Sequence, residues 1–290
     1  MKITNEINYP ASVLRAAKGS VYKPQKDRIR VTELISPPLH RTLIMKHWDN
    51  IKVDVDDMLI SMFGTAFHRF LAGYEDKDNV IFNQRFDARI TGTNYILTGE
   101  PDKFNAATGL LEDYKTTSAW SFVYGGKEWE QQLNLYAYLL RKHGYNVTSL
   151  KINAFLRDWT YYQSIQKGAR EYPKKRFHVC RIKLWNQDDT EKYITEKIND
   201  FIYNPERECT PKEKWEKPTT FAVMKDGRKS AMRVLPTQHE AEEWVSTNVK
   251  SRDLSKVDIV CRQGELVKCL RFCDVNKFCP YFKGGVNGNE

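Results

Sequence analysis

Between Met58 and Leu156 the spacing of apolar residues changes period three times, and this limits the folds open to the chain. Leu59, Met62, Phe63, Ala66, Phe67 and Phe70 recur at helical spacing, so 58–74 reads as an amphipathic helix. Strand-like stretches follow. Val80–Ile90 and Tyr95–Thr98 flank the turn residues Gly92-Thr93-Asn94, and Lys103-Phe104 and Leu110–Lys115 flank Asn105–Gly109. Helical spacing returns over 127–143, where Trp129, Leu133, Tyr136, Ala137 and Leu140 share a face, and Ser149–Leu156 reads as a further strand. Helix, antiparallel strands, helix, strand is the order of a mixed α/β sheet flanked by helices.

Around this block the signals are shorter. Short helices are expected near Ser12–Ala17 and Val31–Ile35, the second ended by Pro37-Pro38. Phe177–Leu184 reads as a strand and Asp189–Tyr203 as a helix closed by Asn204-Pro205. Beyond Pro205 the texture changes. Phe221–Lys225, Asp226-Gly227 and Ala231–Leu235 form a hairpin signal, and Thr237-Gln-His-Glu240 is a capping box opening a helix with Trp244. We expect a domain over 1–205 and a smaller cysteine-bearing α+β appendage over 206–290.

At 290 residues and 41% hydrophobic, the chain can bury a substantial core. Lys and Arg outnumber Asp and Glu by 46 to 37, and the net charge of +9 favours a polyanionic partner. The first residues lack the apolar run of a signal peptide, and no window approaches the roughly 20 apolar residues of a membrane span. No membrane association is expected. The reading is a soluble cytoplasmic protein, in the host cytoplasm if a phage encodes it.

Four segments carry chemistry. Gly64-Thr-Ala-Phe-His68 puts a glycine and an imidazole on one helix face. Gly99-Glu-Pro-Asp102 and Glu112-Asp-Tyr-Lys115 lie on either side of one turn, so adjacent strands bring Asp102 and Asp113 together. Two crowded carboxylates repel unless a cation neutralises them, and a hard divalent ion, Mg²⁺ or Mn²⁺, suits oxygen ligands. Lys115, two residues past Asp113, projects from the same strand face, where it can steady developing negative charge. Gln132-Leu-Asn-Leu-Tyr136 sets an amide and a phenol on one helix face. Taken singly, each segment also fits ordinary structure: a histidine at a helix edge, a hairpin with solvated charges, a core tyrosine.

In this order and at these intervals, the four segments resemble the RecB-like branch of the PD-(D/E)XK nuclease superfamily. The motifs span about residues 60–140, and a RecB-like core would cover roughly 30–205. The resemblance implies a restriction-endonuclease-like core, a mixed sheet flanked by helices. It implies that His68, Asp102 and Asp113 bind the metal, with the Tyr114 carbonyl as a further ligand, and that Lys115 is the catalytic lysine. It implies that Gln132 and Tyr136 position DNA or support the site. The expected activity is metal-dependent hydrolysis of DNA, as an exonuclease in recombination, repair or phage DNA metabolism. A structure-selective or nicking endonuclease, and a non-catalytic DNA-binding or assembly subunit, are the alternatives.

Cys269-x₃-Cys273-x₅-Cys279 is too dense for chance in an intracellular protein, and such spacing holds zinc or an iron–sulfur cluster. Cys209 is the chosen fourth ligand and Cys261 its competitor; Cys180, in an apolar strand, reads as core. RecB-like relatives such as the AddB and CRISPR-associated nucleases carry a 4Fe–4S cluster on one remote cysteine and a C-terminal trio. Here the first interval is three residues where theirs is often two, and the remote cysteine follows the core instead of preceding it. The ion stays open between iron–sulfur and zinc. Two basic runs, Lys18, Lys23, Lys26, Arg28 and Arg30 with Tyr22, and Lys167, Arg170, Lys174, Lys175 and Arg176 with Tyr172, suit single-stranded DNA or duplex ends. A recombination or single-strand-binding protein is a candidate companion.

Overall fold

The structure, a computed structural model, describes residues 1–74, 79–166 and 171–282, and its contacts divide the chain into Met1–Arg207 and Glu208–Glu290. The first unit opens with β1 (Lys2–Thr4), α1 (Ala11–Ser20), β2 (Arg28–Arg30), α2 (Val31–Leu34), α3 (Pro38–His47) and β3 (Lys52–Asp54). Next come α4 (Val55–Ala72), β4 (Val80–Phe82), β5 (Phe86–Arg89), β6 (Ile96–Gly99), β7 (Lys103–Asn105) and β8 (Leu110–Thr117). α5 (Ala119–Tyr124), α6 (Lys127–Lys142), β9 (Ser149–Leu156), α7 (Tyr161–Ile165), β10 (Phe177–Ile182) and α8 (Gln187–Tyr203) complete it.

The main sheet has the order β10-β9-β8-β7-β4. β8 and β9 run parallel, joined through α5 and α6, and the other pairs are antiparallel. A second sheet, β2-β6-β5, is also mixed. The core forms where α6 lies on the main sheet. Residues 133–140 of α6 are all buried, and Leu111 of β8 with Ile152, Ala154 and Leu156 of β9 faces them. A parallel β8/β9 pair demands a crossover, and a helix with this much apolar surface supplies one.

Three local readings change. The helix before Pro37-Pro38 does stop, at Leu34, but Pro38 also opens a further helix, standing at the first position of α3, where its missing N–H costs nothing. Residues 80–90 are not one strand: Asn83 takes φ +46°, so β4 leaves to pair with β7 while β5 pairs with β6 around Gly92 (φ +76°). Between β8 and α6 stands the unexpected α5, capped by Ser118, whose Oγ accepts from the Ser121 N–H. The apolar stripe of α4 is only partly covered, since Ile60, Phe63 and Phe70 are each at least half exposed.

The second unit contains β11 (Glu216–Lys217), β12 (Thr220–Lys225), β13 (Arg233–Leu235), α9 (Gln238–Asn248), β14 (Val257–Arg262), β15 (Glu265–Leu266) and α10 (Val267–Arg271). β12 is the centre of an antiparallel sheet, β13-β12-β14, on which Ala222 and Val223 bury with Ala241 of α9. The capping box at Thr237 and Glu240 forms, each side chain accepting from the other's backbone N–H at 3.2 Å. Among the described residues no helix is long and apolar enough to cross a membrane.

Candidate metal-binding and catalytic site

β7 and β8 form a tight hairpin in which Lys103 pairs with Glu112, which sets Asp102 opposite Asp113 at its open end. Strand alternation then sorts the acids. Glu112 turns to the sheet's other face and is neutralised there by Lys103 at 3.2 Å and by the Asn153 amide. Asp113 and Lys115 turn toward α6. The Lys115 ammonium lies 2.8 Å from Asp113 Oδ2 and donates to Gln132 Oε1 at 2.8 Å. Gln132 Nε2 in turn donates to the Tyr136 hydroxyl at 3.1 Å.

α4 brings His68 to the same place from the opposite side. Gly64 makes the approach possible, since a Cβ there would stand 3.0 Å from Thr116 Oγ1 of β8. One turn later His68 Nδ1 lies 3.3 Å from Asp102 Oδ1, while Asp102 Oδ2 accepts from the Tyr114 N–H at 2.9 Å. A second close approach holds the other wall: a Cβ on Gly99 would meet the Tyr136 ring and the Leu139 side chain at under 3 Å.

The electrostatics match a site built for positive charge. Asp113 is 2% exposed, and burial first, with the Asp102 charge adding and Lys115 opposing, pushes its carboxyl up to about 6. Its buried Oδ2 lies 2.8 Å from the Lys115 ammonium, the contact that opposes this rise. For His68, burial pulls the imidazole down, but its bond to Asp102 and the charges of Asp102 and Asp113 outweigh it and leave the pKa raised. His68, Asp102 and Asp113 feel one another's charge but do not bring three ligand atoms within 4.8 Å of one another. Their mixed N/O donors are of the kind a divalent ion takes, and a cation between them would offset the buried charge of Asp113. Of the two roles expected for Tyr136, its placement suits support of the site: it is buried, and its hydroxyl accepts from Gln132.

The basic runs are partly spent within the fold. Arg28 pairs with Asp87, the Arg30 guanidinium stacks 3.1 Å from the Tyr22 ring centroid, and Lys174 donates to the Ser164 carbonyl. Lys167 and Arg170 lie outside the described residues. Tyr172, expected beside DNA, is buried, and its hydroxyl accepts from the Thr160 N–H. The exposed aromatic pair here is one that sequence reasoning passed over, Trp120 and Tyr124 of α5, whose i, i+4 spacing was the available signal.

In the second unit, Cys269 lies on α10 and Cys273 and Cys279 on the segment after it. Asn276 binds that segment together, donating from its amide to the Cys269 carbonyl at 2.9 Å and accepting at its own carbonyl from the Cys279 N–H at 3.1 Å. Burial and then the neighbouring Cys279 raise the Cys269 thiol. Cys273 is pushed up to about 11, by burial chiefly and by Asp274, Cys269 and Cys279 as well. Lys214, paired with Glu208, also feels both Cys269 and Cys209. Cys261 is exposed on β14, opposite Phe221 of β12. Among the described residues no three of these thiols come within 4.8 Å of one another.

No family model and no curated protein matches the chain. Among solved structures, the crystal structure of SSO0001 is similar in fold, with a TM-score of 0.50 and 14% identity over 70% of this chain and 90% of that one.

Proposed function

We propose that the first unit is a restriction-endonuclease-like core acting as a Mg²⁺- or Mn²⁺-dependent deoxyribonuclease of the RecB-like PD-(D/E)XK type. The observation that carries this reading is Asp113: a carboxylate only 2% exposed, ion-paired with Lys115 on the same strand face and within reach of the charges of Asp102 and His68. His68, Asp102 and Asp113 would hold the ion, with the Tyr114 carbonyl as a further ligand. When bound, the ion acidifies water and takes up negative charge on the scissile phosphate. Lys115, held between Asp113 and Gln132, stands where negative charge grows as water attacks phosphorus and the P–O bond breaks. Gln132 aims that ammonium, and buried Tyr136 aims Gln132.

An exonuclease is the first choice within this class. The test is degradation of labelled linear, circular and single-stranded DNA with Mn²⁺ or Mg²⁺, comparing wild type with Asp113→Ala and Lys115→Ala. Metal-dependent cleavage lost in both variants supports the site, and sparing of circular DNA selects exonuclease. Wild type that cuts nothing, or variants that cut equally well, sinks the assignment.

For the second unit we propose a 4Fe–4S cluster on Cys209, Cys269, Cys273 and Cys279. Cys269, Cys273 and Cys279 feel one another's charge, which is the support for a shared site, and a zinc ion on the same thiols is the alternative.

A further inference from the structure

We propose that the stacked rings of Trp120 and Tyr124 are a platform for the unpaired bases of a DNA strand that runs past Lys115. The inference rests on the nuclease reading and adds to it the form of the substrate and the residues that select it.

α5 starts two residues after β8 ends, so the strand that carries Asp113 and Lys115 leads directly into this platform. The two rings are one helical turn apart, 5.8 Å between centroids and inclined by only 9°. Trp120 is 47% exposed and Tyr124 71%. α5 is anchored by other residues as well: Ala119 is buried, and Phe122 packs on Trp129 and His178. The parts of Trp120 and Tyr124 left in water add little to folding stability, since hydrophobic gain scales with apolar area removed from water.

Both rings are nevertheless held in place. The Tyr124 hydroxyl donates to Glu171 Oε2 at 2.6 Å, and the edge of buried Tyr172 meets Trp120 at 5.7 Å. A platform fixed before binding loses little side-chain entropy when a ligand arrives.

The surrounding charge identifies the ligand. The Arg157 backbone N–H binds the Thr117 carbonyl where β8 ends, and the Arg176 carbonyl accepts from the Leu156 N–H, so two arginines flank the strand's exit. Arg157 and Lys175 are exposed, Arg176 lies over the Trp159 ring with its guanidinium 5.4 Å from the centroid, and Tyr161 and Tyr162 of α7 are exposed as well. The nearby acids are engaged: Glu171 by Tyr124, and Asp158 by the Ala119 N–H. Aromatic faces beside cations take bases by stacking and phosphates by charge, with little regard to sequence. A duplex hides its base faces, so this surface serves unpaired nucleotides.

The test is fluorescence anisotropy in EDTA, which needs no cleavage. It compares a single-stranded oligonucleotide, an abasic strand of equal length and a blunt duplex. Wild type is expected to bind the base-bearing strand about tenfold more tightly than the abasic one. Trp120→Ala should remove most of that difference while leaving abasic binding unchanged, and Trp120→Phe should keep much of it. Equal wild-type affinity for the two strands overturns the proposal, whether or not any variant folds. So does a Trp120→Ala loss that falls equally on both strands. Base-dependent binding without cleavage would leave the platform standing and remove the nuclease; cleavage without base-dependent binding would do the reverse.

Discussion

Gln132 accepts a hydrogen bond from the Lys115 ammonium at 2.8 Å, so an uncharged side chain on α6 fixes the direction of the one cation on the acidic face of β8. Asp113 Oδ2 lies at the same 2.8 Å from that ammonium, so removing Gln132 leaves it one acceptor and freedom to turn about that contact. Gln132→Ala should therefore lower kcat by on the order of 10²-fold, as small misplacements of catalytic groups do, with KM little changed. Single-turnover cleavage against DNA concentration separates the two. A rise in KM with kcat intact would mean that Gln132 contacts DNA instead.

The buried carboxyl of Asp113 makes the stability of the metal-free protein depend on pH. Its folded pKa of about 6 lies above the unfolded value of about 3.9, so protonation favours the folded state. That contribution is complete below pH 4 and is lost as pH rises through 6. His68, also raised, acts in the same sense. Asp113→Asn should raise the metal-free Tm by a few degrees at pH 8 and by much less at pH 5. Mg²⁺ should raise the Tm of wild type at pH 8 and leave the variant unmoved. A variant less stable than wild type at pH 8 without metal would contradict the buried-charge account.

Much of this geometry is legible in the sequence, and what is not has identifiable causes. A short turn between two alternating strands fixes a register, so the adjacency of Asp102 and Asp113 can be read from Lys103-Phe104 and Leu110–Lys115. The shared face of Asp113 and Lys115 follows from alternation alone. Pro38 misleads because a proline that stops one helix is equally suited to start the next. The break at Asn83 depends on a positive φ that no neighbouring residue announces. α5 hides because it is six residues long and its two largest side chains face out. Tyr172 looks like a surface aromatic in a basic run, yet the contacts that bury it are made by Trp120 and Thr160, far along the chain.

The cysteines of the second unit give a direct readout. Purified anaerobically, the protein should be brown, and Cys273→Ser should bleach it and reduce the bound iron. Cys261→Ser should do neither, since Cys261 is exposed on β14. The unit has a small core, so loss of the cluster should also make residues 208–290 the first to be cut in limited proteolysis. A colourless protein with stoichiometric zinc would replace the cluster with a zinc site.

Gly64 tests whether the seating of α4 matters more to chemistry than to stability. Alanine in a helix interior is favoured over glycine by about 1 kcal/mol. Against this, the new Cβ would stand 3.0 Å from Thr116 Oγ1, tighter than ordinary packing, and a shift of a few tenths of an ångström relieves it. The two effects oppose each other, so Gly64→Ala should change Tm by no more than a few degrees. The shift is not free for the site, because the same helix turn carries His68, 3.3 Å from Asp102. Cleavage should therefore fall by about tenfold or more, in line with the sensitivity of catalysis to small displacements. Thr116→Ala removes the obstructing oxygen, so in the double variant activity should largely return. Such recovery is a coupling between residues in contact, which additive effects cannot produce. Equal losses in the single and double variants would show that Gly64 acts by some route other than the approach of α4 to β8.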